Sequence, residues 1–120
     1  MRGDMQMKSR VTDYEQYSAF SGHPAECTHH LIFGNGRHKL ADQDGLTIGL
    51  LNSEHNLSRK GTINQIHDNP AAEKLSKIAG QLAWERIWLA DQLAKEGKNS
   101  DEWMREAREA FRKRYHESYL

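Results

Sequence analysis

The chain has one cysteine, Cys27, in 120 residues. An intramolecular disulfide is therefore excluded, and so is a zinc site built from four thiolates. A lone free cysteine is expected as a small packed residue rather than a ligand. Long apolar runs are also lacking. Leu46-Thr47-Ile48-Gly49-Leu50-Leu51 is among the longest, far short of the roughly 20 residues that span a bilayer, and no membrane partner is expected. Met1 to Arg10 carries charges but no apolar segment, so it is not expected to act as a secretory signal. Repeats and low-complexity tracts are absent.

Net charge is missing as well. Lys+Arg and Asp+Glu both number 17, which counts against a broadly basic surface, the usual footprint of nucleic-acid binding. Basic residues do cluster locally, at Arg37-His38-Lys39, Arg59-Lys60 and Arg112-Lys113-Arg114. Each cluster alone reads as a solvated face. With 37% hydrophobic residues and a mean hydropathy of −0.90, the chain is polar enough that its core should be modest. Its length suits one domain. A bound metal would add folding free energy to so small a core.

What the chain does have is histidine. Six of its seven histidines lie between His23 and His67. His23 sits in Ser21-Gly22-His23-Pro24, which reads as a turn. His29-His30 opens a short β-prone run, Leu31-Ile32-Phe33. A polar loop with Gly34, Gly36 and Gly45 follows, then the second run over 46–51. Two such runs joined by a Gly-bearing loop read as a hairpin. A helix or helical turn after the second strand would bring His55 and His67 back against the first. Neutral imidazoles converging from separate elements suit a divalent metal. A further histidine beside them suits general-base catalysis. Neighbours on a strand point to opposite sides, so His29 and His30 should divide these tasks, though alternation does not say which does which.

At these residues the chain resembles the HNH endonucleases of the ββα-metal type, most closely the small phage and prophage members, some described as recombination-associated nucleases. The resemblance rests on His29-His30 before Leu31-Ile32-Phe33-Gly34, on Leu50-Leu51 followed by His55, and on Ile66-His67-Asp68-Asn69-Pro70. It extends through Leu75-Ser76-Lys77 to Gly80-Gln81-Leu82-Ala83-Trp84-Glu85, about half the chain. It implies His29, His55 and His67 as metal ligands and His30 as the base that activates water. The implied cofactor is one divalent ion (Zn²⁺, Mg²⁺, Mn²⁺ or Ni²⁺), the partner DNA, and the setting the cytoplasm of a bacterium or phage-infected host.

Two positions depart from the family pattern. His55 and His67 are twelve residues apart, where compact members place these ligands about one helical turn apart. Leu46 stands where members usually carry a central asparagine; Asn35, Asn52 or a backbone group is left to brace His30. Arg37 and Lys39, in the loop beside the pair, and Arg59 and Lys60 after His55 are the candidate DNA contacts. Asp42 and Asp44 read first as solvated loop residues, with bracing the loop or orienting a histidine as the alternative.

The C-terminal half reads as helical. Asn69-Pro70 is a helix start, with Asn as cap and Pro in the first turn. Leu75, Ile78, Leu82, Leu89 and Leu93 share one face from Pro70 to about Glu96, expected to pack on the core with Ala79 and Ala83 beside them. Trp84 and Trp88 read as core, and Gly80 as a point of close approach to the hairpin. Gly97 is expected to stop this helix, and Asn99 with Glu102 to cap a last one, about Ser100 to Tyr115, with Trp103, Ala107, Ala110 or Phe111, and Tyr115 facing inward.

The fold expected is α+β and mostly helical. A weakly ordered extension (1–22) precedes one domain (23–120), made of a ββα-metal core (23–69) and a helical part (70–120). Three functional readings compete: a metal-dependent nuclease, a non-catalytic zinc-stabilised nucleic-acid-binding or phage accessory protein, and a metal-free helical interaction protein using the Trp84/Trp88 face.

Overall fold

In the computed structural model residues 8–56, 65–96 and 102–120 are described. Two short strands, β1 (Cys27–His30) and β2 (Thr47–Leu50), pair antiparallel with His29 opposite Ile48 and His30 opposite Thr47. Between them lies helix α1 (Arg37–Asp44), where the sequence suggests a loop. Only Leu40 and Ala41 are apolar within it, so it has almost no hydrophobic periodicity to betray it. Its end is marked by Gly45, in the left-handed region at φ 70°, whose N–H bonds the Asp42 carbonyl while the Leu46 N–H bonds that of Ala41. That is the glycine-terminated helix end.

After β2, the four-residue α2 (Asn52–His55) is held by Glu54, which accepts from the Leu51 N–H at 2.8 Å and the Ser18 hydroxyl at 2.6 Å. A single 3-10 turn (Ile66–Asp68) then leads into α3 (Pro70–Glu96), and α4 (Trp103–Tyr115) packs back along α3. Helices hold more than half of the described residues, so the α+β, mostly helical expectation stands. Residues 8–22, expected to be weakly ordered, are tied to the hairpin: the Ser9 hydroxyl donates to the Thr47 carbonyl at 2.7 Å, and the Ala19 N–H to that of Gly49 at 2.9 Å. The Gly97 stop and the Asn99 cap lie outside the described residues.

The α3 start is as expected, with Asn69 Oδ1 accepting from the Ala72 N–H at 3.1 Å. Its orientation is not. Leu75, Leu82 and Leu93 are 65%, 52% and 42% exposed, while Ser76, Gly80, Gln81 and Glu85 are buried. The helix packs through the face opposite its leucines, because Gly80 lets its backbone approach the hairpin. A β-carbon at Gly80 would lie 2.7 Å from Ile32 Cγ1 and 3.1 Å from Leu31 Cβ. Below it a polar seam secures the C-terminus. Gln81 donates to Glu85 (2.8 Å) and accepts from the Tyr119 N–H (2.6 Å), and Glu85 pairs with Arg108 at 2.9 Å. On α4, Ala107, Phe111 and Tyr115 are fully buried, as their spacing predicts. They join Leu31, Ile32, Ala41 and Leu46 in the core, with Trp84 edge-on to Phe111 at 5.5 Å.

Asp44 locks α1 to the helical pair. Its carboxylate accepts from Trp84 Nε1 (3.1 Å), Tyr115 OH (2.7 Å) and Arg114 through both Nε and an Nη (2.7 Å each). Burial and the Asp44 carboxylate push the Tyr115 hydroxyl well above its ordinary pKa.

Gly80→Ala sets two effects against each other. Alanine gains about 1 kcal/mol in helix propensity, but overpacking against Ile32 costs about 1–3 kcal/mol. We expect a net loss of stability, seen as a lower urea midpoint at unchanged m-value.

Candidate metal centre

His29 ends its strand inside the protein and His30 near the surface, since adjacent strand residues point to opposite faces. His29 is fully buried, whereas the His30 side chain is 11% exposed. α2 and the 3-10 turn bring His55 and His67 onto the His29 side. One nitrogen from each of the three rings lies within 4.8 Å of the others, so His29, His55 and His67 can together hold a metal ion.

The hydrogen bonds select which nitrogens these are. Ser76 Oγ lies 2.8 Å from the Leu31 carbonyl and 2.8 Å from His29 Nε2. A hydroxyl has one proton, and a carbonyl can only accept. Ser76 therefore donates to Leu31 and accepts from His29 Nε2–H. The His29 lone pair is then on Nδ1, which is buried with no hydrogen-bond partner. The same logic applies at His67. Its Nδ1 lies 3.0 Å from Glu73 Oε2 and donates to it, leaving the lone pair on Nε2, 3.1 Å from His55 Nε2. Tetrahedral zinc with bonds of about 2.0 Å needs ligand nitrogens roughly 3.3 Å apart, so this His55–His67 spacing suits a shared ion. The orphaned Nδ1 and the facing Nε2 atoms fit a divalent metal. Such outer hydrogen bonds orient metal-bound histidines.

Burial and neighbouring imidazoles keep His29 and His55 neutral. Burial, then the neighbouring His55 and His67, lowers the His29 pKa to about 3. Burial, then His67, lowers that of His55 to about 4. Phe33 lies edge-on to His67 (4.8 Å) and beside His29 (5.8 Å), forming an apolar wall with Lys77 Nζ 4.7 Å above its ring.

The three rings open into a cleft of about 260 Å³ that is also lined by Thr28, His30, Phe33, His38 and Asn56. His30 Nε2 is 2.9 Å from Asp42 Oδ1 on α1, and the His38 ring lies over that of His30 at 3.7 Å between centroids. Leu46 is buried in the core, and the carboxylate of Asp42 is a group that meets His30.

The other candidates fare differently. Arg37 lies on α1, not in a loop, and its guanidinium is engaged by the Tyr115 carbonyl (2.9 Å) and the Glu117 carboxylate (2.5 Å). Lys39 is exposed on α1. Arg59 and Lys60 lie outside the described residues. His23 is exposed in its turn, and Cys27 donates to the Leu50 carbonyl at 3.5 Å. Sequence reasoning missed Glu73 and Ser76. The signal was there: the Asn69 cap fixes the start of α3, and residues three apart share a helix face. No helix among the described residues is long and apolar enough to cross a membrane. In comparisons with known proteins, no family model, no curated protein and no solved structure matches the chain significantly.

Two outcomes are expected. Ser76→Ala should weaken binding of Co²⁺ or Zn²⁺ about 10–100-fold, measured by titration, because the His29 tautomer is no longer set. The metal-free protein should lose stability as pH falls from about 6.5 towards 3. In that window the unfolded histidines take up protons that folded His29 and His55 refuse, so the unfolded state binds more protons and gains on the folded one. Above about 6.5 these two residues should contribute no pH dependence.

Proposed function

We propose that this protein is a divalent-metal-dependent endonuclease of the HNH type, hydrolysing phosphodiester bonds in DNA. The observation that carries the reading is the convergence of three imidazoles, His29, His55 and His67, in a cleft that His30 also lines. The order of elements, two antiparallel strands and then the helical segments that carry His55 and His67, supports a ββα-metal core.

A divalent ion held there would supply Lewis-acid stabilisation of the phosphate and of the leaving oxygen. His29 Nδ1, His55 Nε2 and His67 Nε2 would hold it, with Ser76 and Glu73 fixing two of the three tautomers. His30 takes the proton from the attacking water as general base. Asp42 bonds His30 Nε2, orients the ring and stabilises the imidazolium that forms when it accepts the proton. Lys39 offers an exposed cation on α1, next in sequence to the cleft-lining His38, for the phosphate backbone. The products carry a 5′-phosphate and a 3′-hydroxyl. The proposed setting is the cytoplasm of a bacterium or phage-infected host, with a role in phage or prophage recombination.

A second reading is favoured by one observation: Arg37, a candidate DNA contact, serves the fold instead, as does Arg114 of the C-terminal basic cluster. Arg37 binds Glu117 and Arg114 binds Asp44, and the chain has no net charge. On this reading zinc stabilises a non-catalytic nucleic-acid-binding or phage accessory protein.

Cleavage of supercoiled plasmid separates the two. Wild type and His30→Ala are compared in EDTA and with Mg²⁺, Mn²⁺, Ni²⁺ or Zn²⁺. The nuclease reading expects metal-dependent nicking or linearisation by wild type. His30→Ala should cleave about 10²–10⁴-fold more slowly while keeping its metal and fold. Metal-loaded wild type that cuts nothing with any ion would establish the accessory reading instead.

A further inference from the structure

The solvent-facing side of α3 is the least expected surface of the molecule. Leu75, Ala79, Leu82, Arg86, Leu89 and Leu93 follow one another at intervals of four and three residues, the spacing of a two-stranded coiled-coil seam. They form a stripe about 27 Å long, opposite the face that packs through Gly80 and Trp84. Leu75, Leu82 and Leu93 are largely exposed, as are Ala79 and Arg86, with Leu89 half-buried. At its N-terminal end the stripe opens into an apolar cleft of about 210 Å³, walled by Phe20, Leu31, Ile48, Ile66 and Ala72. Within one copy the outward leucines gain little burial.

We propose that this stripe is a homodimer interface, in which α3 of one copy lies antiparallel along α3 of a second. The intervals run 4, 3, 4, 3, 4 and read the same in both directions. The stripe is therefore complementary to itself about a two-fold axis, the condition for an isologous contact. Leu75 then meets Leu93 of the other copy, Ala79 meets Leu89, and Leu82 meets Arg86. Small faces large at the second of these pairs, and the methylene stem of Arg86 covers Leu82 while its charge reaches solvent. A parallel pair would set Arg86 against Arg86 at the middle of the seam.

Charge also points to a second copy over other occupants. The seam is flanked by Ser76, Ala83 and Ala90 on one side and by Ile78, Glu85 and Gln92 on the other. None of these is cationic, so neither an anionic membrane nor a phosphate backbone finds the basic border it requires. The chain's net charge is zero, so two copies meet without long-range repulsion. This interface stands independently of the chemistry proposed above.

Light scattering after gel filtration tests it on the full chain. Wild type is expected at the mass of two chains, and Leu82→Glu at the mass of one under the same conditions, with unchanged helical circular dichroism and metal content. A second measurement holds even if that variant folds poorly. In a Cys27→Ser background, Ala79→Cys combined with Leu89→Cys should form a covalent dimer on mild oxidation, while Ala79→Cys alone should not. A monomeric wild type at high micromolar concentration overturns the proposal. So does Leu82→Glu that folds and stays dimeric, or ready cross-linking through Ala79→Cys alone.

Discussion

The capacity of the three histidines to hold a metal depends on where one proton goes. Ser76 sits between an obligatory acceptor, the Leu31 carbonyl, and His29 Nε2. Because the carbonyl claims the hydroxyl hydrogen, His29 must donate through Nε2 and carry its lone pair on Nδ1. The reverse tautomer would point an N–H at His55 and His67 and close the site to any cation. Glu73 imposes the matching choice on His67. Both residues come from the first turns of α3, so the helix that supplies no ligand decides how ligands from β1 and the 3-10 turn are presented.

What places Ser76 there is the close approach at Gly80. Leu31 and Ile32 directly follow the His29-His30 pair, and α3 rests on both at the position where it has no side chain. The opposite end of the assembly is held by Asp44, whose carboxylate collects donors from Trp84, Arg114 and Tyr115. Four charge-assisted bonds to one carboxylate anchor α1, and α1 carries Asp42 to His30. Ser76 fixes the ligand side of the cleft, and Asp44, through α1, fixes the His30 side.

Much of this could be read from the residues, and the exceptions have physical causes. The hairpin, the Asn69-Pro70 helix start and the inward face of α4 follow from short-range patterns that the fold leaves intact. Helix α1 did not show because only Leu40 and Ala41 among its eight residues are apolar; it is held by tertiary bonds at Asp44 and by the left-handed Gly45, not by an apolar stripe. The leucine face of α3 was legible as an amphipathic pattern, but periodicity cannot say which face meets the core. Gly80 decided that, since backbone proximity was available on the opposite side only. Arg37 looked like a phosphate ligand from its place beside the histidines, yet its partner Glu117 lies 80 residues further on. Sequence proximity carries no information about such a pair.

The histidine cluster costs the fold stability that an ordinary core would not give up. A buried polar atom without a partner costs about 1–3 kcal/mol, and His29 Nδ1 is one. Burial first, and then the neighbouring imidazoles, lower the His29 and His55 pKa values and remove any gain from protonating those two residues in the ordinary acid range. A leucine at position 29 would fill similar space without either penalty. In a domain whose core is small, such a defect is a large fraction of net stability, which is typically about 5–15 kcal/mol. An electron-pair acceptor bound among the three nitrogens would relieve that cost: it would satisfy Nδ1 and join β1, α2 and the 3-10 turn at one point. Binding and folding would then draw on the same free energy, so the residues that make the site expensive are those through which a metal would stabilise the fold.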